Sequence, residues 1–181
     1  MQMNVRRGTG SLGSEYEIET PGCLYFAKQK FFSLKKRITL TGPRERPVAQ
    51  IAGTTAFFHS HFDFDLADGK SYEFWTESTW KGVYCCGNKL ESYRLYRHKG
   101  LDYSIFQSDV QIAAFTKNKI EIGNSDQYEV LLNDDANPVL IICMALTIDV
   151  LESPTSGPGV TYDAGNIGPE ERPFDRSWLP S

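Results

Sequence analysis

Asn137-Pro-Val-Leu-Ile-Ile-Cys-Met-Ala-Leu-Thr-Ile-Asp-Val-Leu151, followed by Glu152-Ser153-Pro154, is the stretch on which the fold turns. Its β-branched content by itself favours a strand. Its ends favour a helix. Asn137 is a good N-cap, Pro138 suits a first helical position that has no N–H to satisfy, and Ser153-Pro154 forbids continuation. The run is also too long for a usual strand. A helix over about 138–151 is apolar around nearly its whole circumference, so protein must enclose it on all sides. With 14 residues from Pro138 to Leu151 it is the longest apolar run of the chain, whereas crossing a bilayer takes about 20. The sequence therefore predicts a core helix and a chain that is not membrane-spanning.

What encloses the helix is written upstream. From about residue 15 to 133, short alternating runs are broken by turn residues, the pattern of an antiparallel all-β domain. Tyr16 and Ile18 alternate with Glu15, Glu17 and Glu19. Phe58, Phe62, Phe64 and Leu66 alternate with polar partners, and Val110, Ile112 and Ala114 with Asp109 and Gln111. Thr41-Gly42-Pro43, Asp68-Gly69, Gly87-Asn88, Lys99-Gly100 and Gly123-Asn124 supply the turn chemistry between runs, and Asp68-Gly69 is the strongest hairpin signal. A sheet closed around the helix satisfies both readings.

A length of 181 residues and 20.4 kDa favours one domain, and 40% hydrophobic with 23% charged residues describes a chain able to bury a core. The net charge of -4 gives no signature for nucleic acid. It is uneven, with residues 1–50 at +5, 51–132 at -3 and 133–181 at -6. Residues 1–14 lack the apolar region of a secretory signal and read as a flexible segment. Their Gly8-Thr-Gly-Ser-Leu-Gly13 satisfies G-x-G-x-x-G without the preceding strand and following helix of a dinucleotide site. The segment 153–181 holds five of the nine prolines and reads as a tail, which Phe174 and Trp178 anchor to the body or to a partner. Cys23, Cys85, Cys86 and Cys143 show no disulfide framework, which points to a reducing, cytoplasmic setting.

Tyr25-Phe-Ala-Lys-Gln-Lys-Phe-Phe-Ser-Leu-Lys-Lys-Arg-Ile-Thr-Leu40, Val110-Gln-Ile-Ala-Ala-Phe115, Tyr128-Glu-Val-Leu-Leu132 and the helix ending Ala145-Leu-Thr-Ile-Asp149 together carry a resemblance. Over about residues 22–152 the chain resembles a LURP-one-related protein of the tubby C-terminal-like superfamily. That resemblance implies a β-barrel of roughly twelve strands around a hydrophobic C-terminal helix. The superfamily includes phosphoinositide-binding tubby proteins and phospholipid scramblases. The cysteine-rich palmitoylation cluster of the scramblases is absent here, and the tubby lipid-binding motif has no residue-for-residue match.

Candidate chemistry is sparse. His59, His61, Asp63 and Asp65 share one face of a predicted strand. Same-face neighbours lie roughly 6.6 Å apart, which permits two strand ligands on one ion but not four, and no remote cluster completes a shell. A polar outer face opposite the phenylalanines is the plainer reading. Cys85 and Cys86 alternate faces, one toward the core and one toward solvent, while His98 sits among Arg94, Arg97 and Lys99. Lys28, Lys30, Lys35, Lys36 and Arg37 flank Phe31, Phe32 and Leu34, an arrangement suited either to an anionic membrane surface or to a solvated strand face with the phenylalanines inward.

The sequence thus predicts an all-β domain over 15–152, a closed barrel of about twelve strands around one helix, acting as a noncatalytic binding module without a cofactor. Its expected ligand is anionic phospholipid of phosphoinositide type at a membrane surface, held by Lys28, Lys30, Lys35, Lys36 and Arg37. A protein-interaction scaffold docking through the barrel rim or the tail is the alternative, and a metal-assisted enzyme built on the His59 row the third.

Overall fold

The computed structural model describes residues 1–10, 13–30, 36–54, 60–118, 127–152 and 170–181. Twelve strands follow in chain order: β1 (Gln2–Gly10), β2 (Gly13–Thr20), β3 (Cys23–Lys30), β4 (Lys36–Thr41), β5 (Pro47–Thr54), β6 (His61–Leu66), β7 (Ser71–Ser78), β8 (Val83–Gly87), β9 (Ser92–Arg97), β10 (Asp102–Gln107), β11 (Val110–Asn118) and β12 (Gln127–Leu132). Each pairs antiparallel with its chain neighbours, and β1 pairs with β12 to close the barrel. One helix, α1 (Pro138–Glu152), follows β12.

The alternation in the sequence becomes an inside and an outside. Tyr16 and Ile18, Phe62, Phe64 and Leu66 face the core, with Glu15, Glu17 and Asp63 turned out. Asp68-Gly69 turns β6 into β7: Gly69 adopts φ 85° and the Asp68 carboxylate accepts from the Lys70 amide at 3.0 Å. Gly53 on β5 matters for a different reason, since a Cβ there would come within 2.5 Å of the Phe62 ring on the paired strand. Phe58 and the Gly123-Asn124 turn lie outside the described residues.

Two expectations need correcting. Residues 2–10 are not a flexible segment but a strand paired on both edges, with Val5 opposite Ile18 on one side and Tyr128 on the other. Only Met3 and Val5 carry its apolar alternation before Arg7 takes the next inward position, and its glycines belong to the hairpin, where Gly10 stands opposite Gly13. On β11, Val110, Ile112 and Ala114 do not form one apolar face. Ile105 stands opposite Ala113 and Phe106 opposite Gln111, so Ile112 is the extra residue of a β-bulge. Beyond it Ala113, Phe115 and Lys117 turn inward, while Val110 is 62% exposed.

Why a helix is needed follows from barrel size. About eight strands leave an interior that side chains alone can fill, and twelve leave room for a helix about 10 Å across. Leu140 to Val150 are buried without interruption and share one core with inward side chains of the strands. Asn137 caps α1 as expected, its Oδ1 accepting from the Val139 and Leu140 amides at 3.0 and 3.2 Å. The helix enters where β12 ends, here the entry end, and its C-terminus points to the far end, where β1 turns toward β2 and β3 toward β4.

Residues 170–181 form no strand. They cross the outside of the barrel from Lys99 and Lys81, beyond the far-end limits of β9 and β7, to Asn133 and Asp134 beyond β12. Phe174 and Trp178 are both half-buried on the way.

Candidate functional site

The far end gathers most of the unusual chemistry. The outer face of β3 runs from Leu24 and Phe26, toward the entry end, to Lys28 and Lys30 at the far end, because Ala27 and Gln29 take the inward positions. Leu24 and Phe26 are 40% and 42% exposed. Lys28 pairs with Glu15 on β2 at 3.4 Å. Lys30 stands directly opposite Arg37 of β4, and neither makes an ion pair among the described residues. The five cations expected to act together therefore divide. Lys28, Lys30 and Arg37 share the outer surface, whereas Lys36 has the parity of inward Ile38 and Leu40 and is half-buried, since successive strand residues face opposite ways. Lys35, with Phe31, Phe32 and Leu34, lies outside the described residues.

Inside the same end is a group that the sequence reading missed. Asp149, in the last turns of α1, is 1% exposed. It accepts from Tyr16 at 2.7 Å, from Lys117 at 2.8 Å and from Tyr128, and pairs with Arg7 at 3.3 Å, so β1, β2, β11 and β12 all converge on one carboxylate. Glu152 likewise accepts from Tyr103 and pairs with Arg97 at 3.4 Å. Two carboxylates at the negative end of a helix are electrostatically unfavourable, and the inward Arg7, Lys117 and Arg97 offset them. Burial, and then the Asp149 charge, raise the Tyr16 hydroxyl well above its ordinary pKa; burial and Glu152 do the same for Tyr103. Both phenols are held as donors. The signal was present: Asp149 is the lone acid in the apolar run, Arg7 continues the parity of Met3 and Val5, and Lys117 that of Ala113 and Phe115.

The remaining candidates sit apart. His61, Asp63 and Asp65 do share the outer face of β6, with His61 Nε2 3.3 Å from Asp63 Oδ1 and Asp65 accepting from Ser71 at 2.8 Å. Among the described residues no three His, Cys, Asp or Glu side chains are grouped to hold a metal, and His59 is not among those residues. Of the cysteine pair, Cys86 is the one that faces the core. Cys85 faces outward but is covered, its thiol donating to Glu77 at 3.0 Å; burial first and that carboxylate second push it up to about 12, the opposite of thiolate activation. At the entry end Glu91 accepts from Tyr72 at 2.7 Å, Tyr93 at 3.0 Å and Lys70 at 3.1 Å. The Tyr72 hydrogen bond leads the lowering of its pKa. Beside it a cavity of about 190 Å³ opens against the start of α1.

Compared with protein-family models, with curated proteins and with solved structures, the chain gives no match. Among the described residues no helix is long and apolar enough to cross a membrane.

Proposed function

We propose that the protein is a noncatalytic binding module that holds anionic phospholipid, of phosphoinositide type, against the outer far-end face of β3 and β4. The observation that carries this reading is the Lys30–Arg37 rung. Like charges directly opposite across a sheet are destabilising, and this pair has no acidic partner among the described residues. An external anion removes that repulsion. Exposed Phe26 and Leu24 lie on the same face of β3 but toward the entry end, opposite Glu17 and Glu19 of β2, so the cationic far-end part of the face is the part offered to the anion. The twelve-stranded barrel around a C-terminal helix is also the fold that the LURP-one-related resemblance implies, in a superfamily with lipid-binding members. The anionic leaflet is the cytoplasmic one, and all four cysteines are free thiols, in keeping with that side.

Sedimentation with vesicles tests the proposal. Vesicles carrying phosphoinositide should bind the protein at low salt and release it at high salt, and neutral phosphatidylcholine vesicles should not bind. Lys30→Glu/Arg37→Glu should weaken binding at least 30-fold, from about 1 kcal/mol for each cation lost. Equal binding by the variant, or no binding by the parent at low salt, refutes the lipid reading in favour of a protein partner.

A further inference from the structure

The outer face of the barrel between β8 and β12 carries apolar groups that closure does not explain. Val83, Tyr96 and Phe106 form a cluster separate from the core, on the outward side of β8, β9 and β10. Residues 170–181 lie over this face. The Arg172 guanidinium stacks 4.1 Å from the Phe106 ring centre and 5.6 Å from that of Tyr96, and its Nη2 donates to Asp109 at 3.0 Å. The Phe174 ring rests 5.0 Å from the ring of His98, which is 2% exposed and bonded through Nε2 to Ser104 at 2.7 Å. Glu170 accepts from the Lys99 amide at 3.2 Å, and Glu171 pairs with Lys81 at 3.4 Å. Between the segment and the strands a cavity of about 380 Å³ stays open, walled by Phe174, Trp178, Ala114 and Leu131 and rimmed by Asp102 and Glu129.

Three features make this face a site rather than a packing contact. The barrel is closed without the segment, so no strand edge depends on it. The segment adds no ladder; two of its anchors are surface ion pairs, each worth little, and its last residue is tied by two hydrogen bonds, Ser181 N donating to Asn133 Oδ1 and Asp134 N to the Ser181 carbonyl, both at 3.0 Å. The barrel offers a distinct receptor for each anchor: two aromatic rings with a carboxylate for arginine, an imidazole shelf for an aromatic ring, and cationic or amide donors for the acidic residues ahead of them.

We propose that this face is a docking groove for an extended peptide of another protein, with acidic residues followed by arginine and, two positions on, an aromatic residue, and that residues 170–181 fill it in cis. The groove is separate from the β3–β4 face and stands or falls independently of lipid binding. Residues 153–169 connect it to α1, a length of chain that spans at most roughly 55 Å.

The test uses the full chain with Arg172→Ala/Phe174→Ala, which removes the segment's two central anchors and weakens its hold on the groove, and a fluorescein-labelled peptide of sequence 170–181 as probe. The variant should bind the peptide at least tenfold more tightly than the parent, whose own segment competes. Adding Asp109→Ala on the barrel should weaken that binding at least fivefold. Hydrogen exchange on the unaltered parent gives a second reading, in which residues 170–181 should open while the strands stay protected. No peptide binding by the weakened variant, binding indifferent to Asp109, or exchange of the segment only together with the strands overturns the proposal. Concentration-dependent dimerisation of the parent, abolished by Arg172→Ala/Phe174→Ala, makes a second copy's segment the occupant and overturns the separate partner.

Discussion

Asp149 shows how much a single side chain organises at the far end. Four groups from four strands point at its carboxylate, and Lys117, 7% exposed at its side chain, has little access to water. Removing the acid leaves a buried ammonium without its principal counter-charge, and breaking such a pair costs about 3–5 kcal/mol, a large share of the ~5–15 kcal/mol that holds a domain folded. Asp149→Ala should therefore lower the denaturant midpoint steeply. Replacing both partners, as in Asp149→Leu/Lys117→Met, should recover most of the loss, because exchanging a buried ion pair for apolar groups of similar volume is often neutral. Chemical denaturation of the parent and the two variants decides the matter. A double variant no better than Asp149→Ala would mean that the tyrosine and Arg7 contacts, not the ion pair, carry the stabilisation.

At the scale of elements, α1 is where sequence and structure agree most closely. Its cap, its first-turn proline and its breaker are local signals, and its all-round apolarity admits one environment, which the barrel supplies. Ile142 is 1% exposed near the middle of the helix, so Ile142→Asp places a carboxyl with no partner in the core. Expression of soluble, cooperatively melting protein should fail or nearly so, whereas Ile142→Val should lose only about 0.5–1.5 kcal/mol. A soluble Ile142→Asp protein with unchanged thermal stability would remove α1 from the core. The β2 and β6 runs were readable for the same local reason, an alternation of period two, reinforced after β6 by the Asp68-Gly69 turn. What escaped was non-local. The β11 bulge depends on register against β10, and β1 is a strand because β2 and β12 flank it; two apolar residues in a glycine-containing stretch do not announce that. The Asp149 cluster escaped likewise, since its members lie up to 142 positions apart and meet only when the barrel closes. The basic residues of 28–37 were visible as a charge bias, but which of them share a face depends on strand boundaries that composition does not mark.

For the whole molecule, connectivity separates two kinds of contact. Eleven of the twelve strand pairings join chain neighbours through short connections, and the twelfth, β1 with β12, joins the first strand to the last across the whole barrel sequence. Loop-closure entropy opposes such a long-range contact most, so the sequential hairpins can assemble first and the β1–β12 seam close after the rate-limiting barrier. Contacts formed after that barrier affect unfolding rather than folding. Val5 sits in the seam, 2% exposed and opposite Tyr128, while Ile51 is 1% exposed on β5 between two sequential partners. Val5→Ala, destabilising by roughly 1–2 kcal/mol, should raise the unfolding rate about 5–30-fold and leave the folding rate within a factor of two. Ile51→Val, milder in total, should divide its effect between both rates. Stopped-flow folding and unfolding over a range of denaturant measures the two limbs separately. If Val5→Ala slows folding by its full destabilisation, the seam forms early and the barrel is organised around β1 and β12 before the intervening hairpins add to it.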